Sequence, residues 1–468
     1  MYRTLLVMGM AAFLCGCLQP RYKRPALPVP PGWPESTASQ TSAPVAPEAP
    51  DMKWQEFFTD KRLQSLIGLA LANNRDLRIA TLNVQRVEAL YRIQRAEQFP
   101  QVDATASGDV YWLPTTATVG GFKIPEASTV KQYNVGLGVT SWELDLFGRI
   151  RSLKHQALEQ YLASQQTRSA AQISLVAEVA NTYLTLAADR ENLQLAQTTF
   201  ASQQASYELI LRSRDAGIAS DLDLRQAQSQ VEAARVDIAR YTGQIALDEN
   251  ALDLLVGTPV VSSLLPVELG SDHALKDLSP GLPSEVLLRR PDILMAEHQL
   301  KAAYANIGAA RAAFFPRITL TGGGGLMSSN LSDLFTGGAK TWNFAPQIVM
   351  PIFNAGALQA SLKVSKVDRD VAIAEYDKTI QSAFREVGDS LTLRTTLTQQ
   401  QDAQQALVNA LDDTYHLSET RYKAGIDSYL TVLVAQRSLY RAQQELVTLR
   451  MARQANLVTL YKVLGGGA

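Results

Sequence analysis

Acidic side chains crowd two short stretches of the chain: Asp215, Asp221 and Asp223 in one, Asp427 in the other. Carboxylates so placed have two uses. At the start of a helix an Asp accepts hydrogen bonds from unpaired N–H groups, for about 1 kcal/mol, a use that fits Asp221 better than Asp223. Repeated by symmetry around an opening, the same groups form a ring that favours cations. Nucleophilic and metal chemistry find less support. The two cysteines are Cys15 and Cys17, both at the N-terminal end, and His155, His273, His298 and His416 lie far apart with no HxxxH or HExxH spacing. Arg289-Arg290-Pro291-Asp292 reads as a helix start with proline in its first turn, not as a catalytic pair. The Gly322–Gly325 run lacks the Lys-Ser/Thr and following helix of a phosphate loop. With no nucleophile–base arrangement, the chain reads as a non-enzyme that uses no cofactor and no metal.

Cys17 carries a chemistry of its own. Met1 to Leu18 holds one positive residue, Arg3, and a short apolar run from Leu5 to Leu14, the make-up of an export signal. Roughly ten apolar residues are too few for a spanning helix, which needs about 20. The run ends in Leu14-Cys15-Gly16-Cys17, the form of a bacterial lipobox, so cleavage before Cys17 and acylation of its sulfur and new amine are expected. Two or three acyl chains anchor a protein stably where one is marginal. Leu18 rather than Asp follows the cysteine, which favours sorting to the outer membrane.

The elements that position these residues follow from composition and period. The 468 residues carry 44 Lys+Arg against 45 Asp+Glu, and 46% are hydrophobic. That balance excludes a global basic surface for nucleic acid and leaves ample material for a core. Nine of the 20 prolines fall between Pro20 and Pro50, as in an extended tether. None occurs between Pro125 and Pro259 or after Pro351. Proline breaks helix interiors, so these tracts can hold long helices. Leu224, Ala227, Val231, Ala234, Ile238, Tyr241 and Ile245 alternate steps of three and four. So do Val432, Ala435, Leu439, Ala442, Leu446 and Leu449, and also Ile173, Val176, Ala180, Tyr183 and Ala187. Such a narrow seam belongs to coiled-coil packing. A helix from about Arg149 to Arg212 is roughly 95 Å long, which demands an elongated body.

Between the helical tracts the period is two. Val102–Val110, Tyr133–Val139, Ile318–Leu326 and Phe344–Ile352 each set apolar residues against small or polar ones, the pattern of a transmembrane β-strand. The stretches 113–130 and 328–341 are then surface loops. The halves also repeat. Ala216-Gly217-Ile218 recurs as Ala424-Gly425-Ile426 at an offset of 208, and Asp76, Arg95, Phe99 and Pro100 recur as Asp292, Arg311, Phe315 and Pro316 at an offset of 216. Each half reads helix, strand, strand, very long helix, turn, long helix. Gly217 and Gly425 supply the left-handed residue that ends a helix. Four strands cannot close a barrel, and open edges are not tolerated in a bilayer. Two chains would give eight strands, whose interior is filled by side chains, and three would give twelve, so a wide lumen favours the homotrimer.

Glu143-Leu144-Asp145-Leu146-Phe147-Gly148-Arg149, Arg289-Arg290-Pro291-Asp292, the run from Ile307 to Pro316 and the terminal Leu464-Gly465-Gly466-Gly467 resemble the TolC-type outer-membrane factors. The resemblance is strongest to the lipidated drug-efflux branch typified by OprM, and it runs from the lipobox to the last glycines. It implies an α+β membrane protein: a homotrimeric 12-stranded transmembrane β-barrel continuous with a long periplasmic α-helical barrel, with a small equatorial domain and an internal two-fold duplication. The implied divisions are a signal peptide at 1–16, a lipidated N-terminus and Pro-rich tether at 17–55, a first repeat at 56–258, an equatorial connection at 259–282 and a second repeat at 283–468. Strands are expected near 100–112, 131–146, 315–327 and 342–353.

The implied function is the outer-membrane channel of a tripartite efflux pump, a passive duct for drugs or other small toxic molecules. A periplasmic membrane-fusion adaptor and an inner-membrane transporter of the RND type would open it. In the family, residues matching Arg421 and Tyr422 tie the periplasmic mouth shut, and Leu430 matches an apolar constriction. Asp221, Asp223 and Asp427 complete that implied gate, with Gly217 and Gly425 at the helix-turn tips. One position departs: Val434 stands where the family often has Asp, so an inner acidic ring is missing. Two other readings compete, a pore-less adaptor lipoprotein with a periplasmic coiled coil and an envelope hydrolase. The dyad strands and the duplication oppose the first, and the lack of a reactive site opposes the second.

Overall fold

In chain order the elements are α1 (Trp54–Phe57), α2 (Lys61–Asn73), α3 (Arg75–Ala96), β1 (Val102–Leu113), β2 (Thr118–Val119), β3 (Phe122–Lys123), β4 (Ser128–Glu143), α4 (Arg149–Asp215) and α5 (Asp221–Val256). Then follow α6 (Pro291–Ala312), β5 (Arg317–Ser328), β6 (Lys340–Val349), α7 (Ala357–Lys423) and α8 (Tyr429–Val463). The computed structural model describes residues 19–33, 52–116, 118–119, 122–123, 126–269, 275–276 and 286–467. The export signal, Cys17 and most of the proline-rich tether lie outside the described residues. α4 and α7 are 67 residues each, α5 and α8 are 36 and 35, and α3 and α6 are 22 each. The three principal helices of one half thus match those of the other in length.

Strand limits depart from the sequence expectation. β4 stops at Glu143 rather than near 146, because Asp145 turns back to cap α4 and accepts from the N–H groups of Ile150 at 3.2 Å and Arg151 at 2.9 Å. β6 stops at Val349 rather than near 353, where Pro351 has no N–H to offer a ladder. The stretch 113–130 is not one open loop, since it contains the small hairpin β2–β3.

Two units are distinguished along the chain. The first comprises Met1–Pro25, Val84–Ser164 and Ala296–Glu375. It holds an antiparallel sheet of order β1-β4-β5-β6. The register sets Val102 opposite Val139, Ala104 opposite Leu137, Val135 opposite Leu326 and Ile318 opposite Ile348. Every apolar series read from the sequence therefore lands on one face. The other face pairs Thr105 with Gly136, Ser107 with Asn134 and Thr319 with Gln347. Between Val139 and Trp142 the register shifts. This bulge adds one residue to β4, so Trp142 sits opposite Leu320 and joins the apolar face despite its odd spacing from Val139.

The second unit comprises Ala26–Asn83, Gln165–Met295 and Tyr376–Ala468. Its helices bury the seams: Val176, Ala180 and Ala187 of α4, Leu224, Ala227 and Val231 of α5, Val432, Ala435 and Leu439 of α8. Phe57 stacks on Tyr461 at 4.2 Å, and the Tyr461 hydroxyl donates to the Met52 carbonyl at 2.6 Å. One pair in this unit works against folding. Burial, followed by the neighbouring charge of Asp189 of α4, pushes the Asp248 carboxyl on α5 up to about 6, while burial also raises Asp189 against its hydrogen bond with Asp248 and the pull of Arg240. An acid whose folded pKa is raised stabilises the fold fully below its ordinary range, near pH ~4, and loses that contribution as pH rises through the folded value. Asp248→Asn should therefore raise the thermal midpoint at pH 7.5 and leave it almost unchanged at pH 4. Thermal melts of both proteins at the two pH values check the sign.

Candidate functional site: the two helix-turn tips

Each very long helix ends the same way. Gly217 and Gly425 adopt φ of 78° and 72°, a region where a Cβ is strained. Ile218 N–H donates to the Ser213 carbonyl at 2.8 Å and Gly217 N–H to Arg214 at 2.9 Å. In the second turn Ile426 donates to Arg421 at 3.0 Å and Gly425 to Tyr422 at 2.9 Å. Both are Schellman closures, in which two backbone N–H groups satisfy the last free carbonyls of the helix.

The helices that follow start differently. Ser220 caps α5: its Oγ accepts from Asp223 N–H at 3.1 Å, and the Asp223 carboxylate accepts from Ser220 N–H at 3.1 Å. This reciprocal capping box corrects the expectation that Asp221 is the cap. Asp221 is the first helical residue, one position too late to reach back. Its carboxylate is 85% exposed and 3.7 Å from Arg214, which also meets Asp215 at 3.0 Å. At the start of α8, Ser428 makes no side-chain cap. Asp427 instead takes the Arg421 guanidinium in a two-pronged pair, Nε to Oδ2 at 2.5 Å and Nη2 to Oδ1 at 3.1 Å. The Arg421 hydrogen bonds hold Asp427 below the ordinary carboxylate range. The pair is exposed, so it is weak taken alone and weaker in salt.

Beneath these polar ties the two turns share one apolar cluster. Ile210, Leu224, Ala227, Tyr429, Val432 and Leu433 are buried together, with Tyr422 packed against them. The Tyr422 and Tyr429 rings lie 5.5 Å apart at 56°, and burial pushes the Tyr429 hydroxyl up to about 12. The next residue, Leu430, turns away at 50% exposure, as does Val434 one turn on at 47%. Leu430 and Val434 therefore form an apolar strip on the face of α8 opposite its buried seam. The structure gathers Arg421, Tyr422, Asp427 and Leu430 around one turn and Asp221 and Asp223 around the other. Sequence reasoning passed over Ser220, although Ser220-x-x-Asp223 has the spacing of a capping box. It also passed over Tyr429, whose partners come from the other half of the chain. Among the described residues no group of His, Cys, Asp or Glu is placed to hold a metal.

Two long-helix hairpins with matched turns stand one in each half of the chain, and the comparison with known proteins matches both halves. The family model for the outer membrane efflux protein matches residues 66–258 and again 282–466. The chain belongs to the outer membrane efflux protein family. It is 48% identical over 470 residues to the toluene efflux pump outer membrane protein TtgC of Pseudomonas putida, across 100% of this chain and 96% of that protein. It is 41% identical over 465 residues to the outer membrane protein OprJ of Pseudomonas aeruginosa, across 99% of this chain and 95% of that one. Its structure matches the open-state outer membrane channel MtrE of Neisseria gonorrhoeae with a TM-score of 0.86 at 38% identity, covering 96% of this chain and 98% of that chain.

The motifs that resemble outer membrane efflux proteins turn out to be junctions. At the foot of β4, Glu143 accepts from Arg149 at 2.7 Å and pairs with Arg317 of β5 at 3.3 Å, while Phe147 stacks on Phe315 at 4.9 Å. In the second unit Arg290 is buried and donates to Asp292 at 2.7 Å, to Glu386 at 2.8 Å and to the Val463 carbonyl at 2.7 Å. One guanidinium thus joins the start of α6, the side of α7 and the last turn of α8.

Proposed function

We propose that three copies of this chain form the outer-membrane duct of a tripartite efflux pump, passive in itself, which exports solvents, antibiotics or other small toxic molecules. The single observation that carries this reading is the sheet. Its four strands present one continuous apolar face, and its outer strands β1 and β6 each have one partner. In a bilayer such edges must be satisfied, and pairing β6 of one copy with β1 of the next closes twelve strands without a free edge. The names of relatives that export toluene and antibiotics support the substrate class. A periplasmic membrane-fusion adaptor and an inner-membrane transporter of the RND type are the partners. Cys17 carries the acyl anchor, the repeats at 56–258 and 283–468 build the helical barrel in the periplasm, and 259–282 contributes the equatorial connection. The tips form the gate: Leu430 meets its two symmetry mates, Arg421, Tyr422 and Asp427 hold the closed state, and Asp221 and Asp223 set the local potential. With Val434 in place of an acid, the constriction is apolar over a full turn, which weakens cation selectivity. Purified trimer added to planar bilayers should give discrete single-channel conductance steps. A folded trimeric preparation that inserts and never conducts would leave the pore-less adaptor reading in its place.

A further inference from the structure

A cavity of about 470 Å³ lies at the foot of the sheet in the first unit. It is bounded by the ends of β4 and β6, the start of β5, the end of α6 and the first turn of α7. Arg317, Thr319, Gln347 and Val349 line it. The register pairs Arg317 with Val349 and Thr319 with Gln347 on the polar face of the sheet, so the cavity lies on the side away from lipid. Phe147 and Phe315 form part of its apolar wall. Their rings stack at 4.9 Å and 21°, and Phe315 is 40% exposed, so the stack leaves apolar surface open to the cavity.

Glu143, Asp145, Arg149 and Arg317 are the charged groups of the lining, and three of them are committed. Arg149 is the first residue of α4, where a cation opposes the helix dipole. Its fork closes on Glu143, Nε to Oε1 at 2.9 Å and Nη2 to Oε2 at 2.7 Å, and it also feels the charges of Glu97 and Asp145. Asp145 caps α4 and pairs with Arg151 at 3.3 Å. Arg317 is left. Its nearest approach to a carboxylate is Nε to Glu143 Oε2 at 3.3 Å, on an oxygen that Arg149 already holds, and its side chain is 56% exposed. Two guanidinium groups thus share one carboxylate. A surplus cation beside an open aromatic stack, in a space of small-ligand size, suits a molecule with one anionic group and a flat apolar body.

We propose that this cavity is a transit subsite for aromatic acids, which place a carboxylate or sulfonate on Arg317 and a ring against Phe315. Thr319 and Gln347 stand beside Arg317 with a hydroxyl and an amide for the remaining anionic oxygen. Joining β4 to α4 requires Glu143 and Arg149 but not Arg317, whose half-covered charge the subsite explains. The inference rests on the reading of the chain as an efflux duct and deepens it, since it names one class of exported molecule and sets it on the lumen wall.

The probe is 1-naphthalenesulfonate. Equilibrium dialysis against the trimer in lipid nanodiscs, with empty nanodiscs subtracted, should show one site per chain. R317Q should weaken binding about tenfold, because it removes the charged partner, while R317K, which keeps the charge, should lose far less. F315L leaves every charge in place and should weaken binding severalfold, so a folding defect in R317Q does not blunt the test. Uncharged 1-naphthalenemethanol should bind the unaltered trimer as weakly as the sulfonate binds R317Q. Equal binding of the sulfonate by the unaltered, R317Q and F315L trimers, or equal binding of sulfonate and alcohol, overturns the subsite. In planar bilayers the sulfonate should also interrupt the current of the unaltered trimer, with blocks about tenfold shorter in R317Q. Bound sulfonate that never interrupts a conducting channel overturns the placement on the lumen wall. Absence of conductance from every protein overturns the duct reading instead, and the dialysis still decides the subsite.

Discussion

Replacing Leu430 by Ala, Tyr422 by Phe and Arg421 by Ser together should raise the conductance of the isolated trimer severalfold or more and admit vancomycin into cells that exclude it. Leu430 stands exposed beside the buried Tyr429, so its removal takes apolar bulk from the proposed constriction without disturbing the shared cluster. Arg421→Ser removes the guanidinium that Asp427 binds at 2.5 Å and would leave a carboxylate without that partner at the proposed mouth in each of three copies. Tyr422→Phe keeps the ring against Tyr429 and deletes one hydroxyl. Each change is small, but symmetry multiplies it by three, and ~1.4 kcal/mol shifts an opening equilibrium tenfold. Because the Arg421–Asp427 pair is exposed, the single Arg421→Ser variant should leak most at low salt, and high salt should narrow its difference from the unaltered channel. Conductance recorded at two salt concentrations decides this. A triple variant that assembles normally and conducts as before would place the gate elsewhere.

Replacing Gly325 by Val should all but abolish the trimer, whereas Gly324→Ala, one residue away, should leave it near its normal yield. Gly325 lies opposite Gly136 in the central strand pair. A Cβ there would run into the Val135 carbonyl oxygen and stand 2.6 Å from the Gly136 Cα. Both are backbone atoms of β4, so relief requires pushing the strands apart and breaking their ladder. At Gly324 the nearest atom is the Thr341 carbonyl oxygen at 3.8 Å, an ordinary contact. Overpacking costs about 1–3 kcal/mol per site. Three sites per barrel make that a loss of several orders of magnitude in assembly. Unheated gels and size-exclusion chromatography of the two variants measure it directly. Equal trimer yields would show that the strands tolerate a side chain at this crossing.

Much of this architecture was legible because it is written in local periods. Proline-free tracts with seams in steps of three and four predicted the long helices, and the seam residues from Ile173 to Ala187, Leu224 to Tyr241 and Val432 to Ala442 are largely buried. Period-two runs located the strands, and repetition at fixed offsets announced two halves whose helices match in length. Gly217 and Gly425 were readable as helix stops because only glycine adopts that backbone without strain.

Other features depend on which distant segments meet, and a period holds no record of that. The alternation of Val135, Leu137 and Val139 says which residues share a face, but not that a bulge before Trp142 brings that side chain onto it. Asp221 and Asp223 are equally acidic in a string of letters. Which of them completes the cap was decided by helix geometry, since only the residue three after Ser220 can return its hydrogen bond. Tyr429 became the buried centre of the tip, and Leu430 its exposed neighbour, because α4 and α5 cover one side of α8 and leave the other free. Glu297 and Arg290 looked like ordinary helix charges. Their partners Arg24, Glu386 and the Val463 carbonyl come from far along the chain. Local period and backbone propensity are properties of neighbouring residues and so were determined by sequence alone, whereas the pairing of buried charges and the choice of an exposed face were decided when tertiary packing excluded water from one side of each helix and not the other.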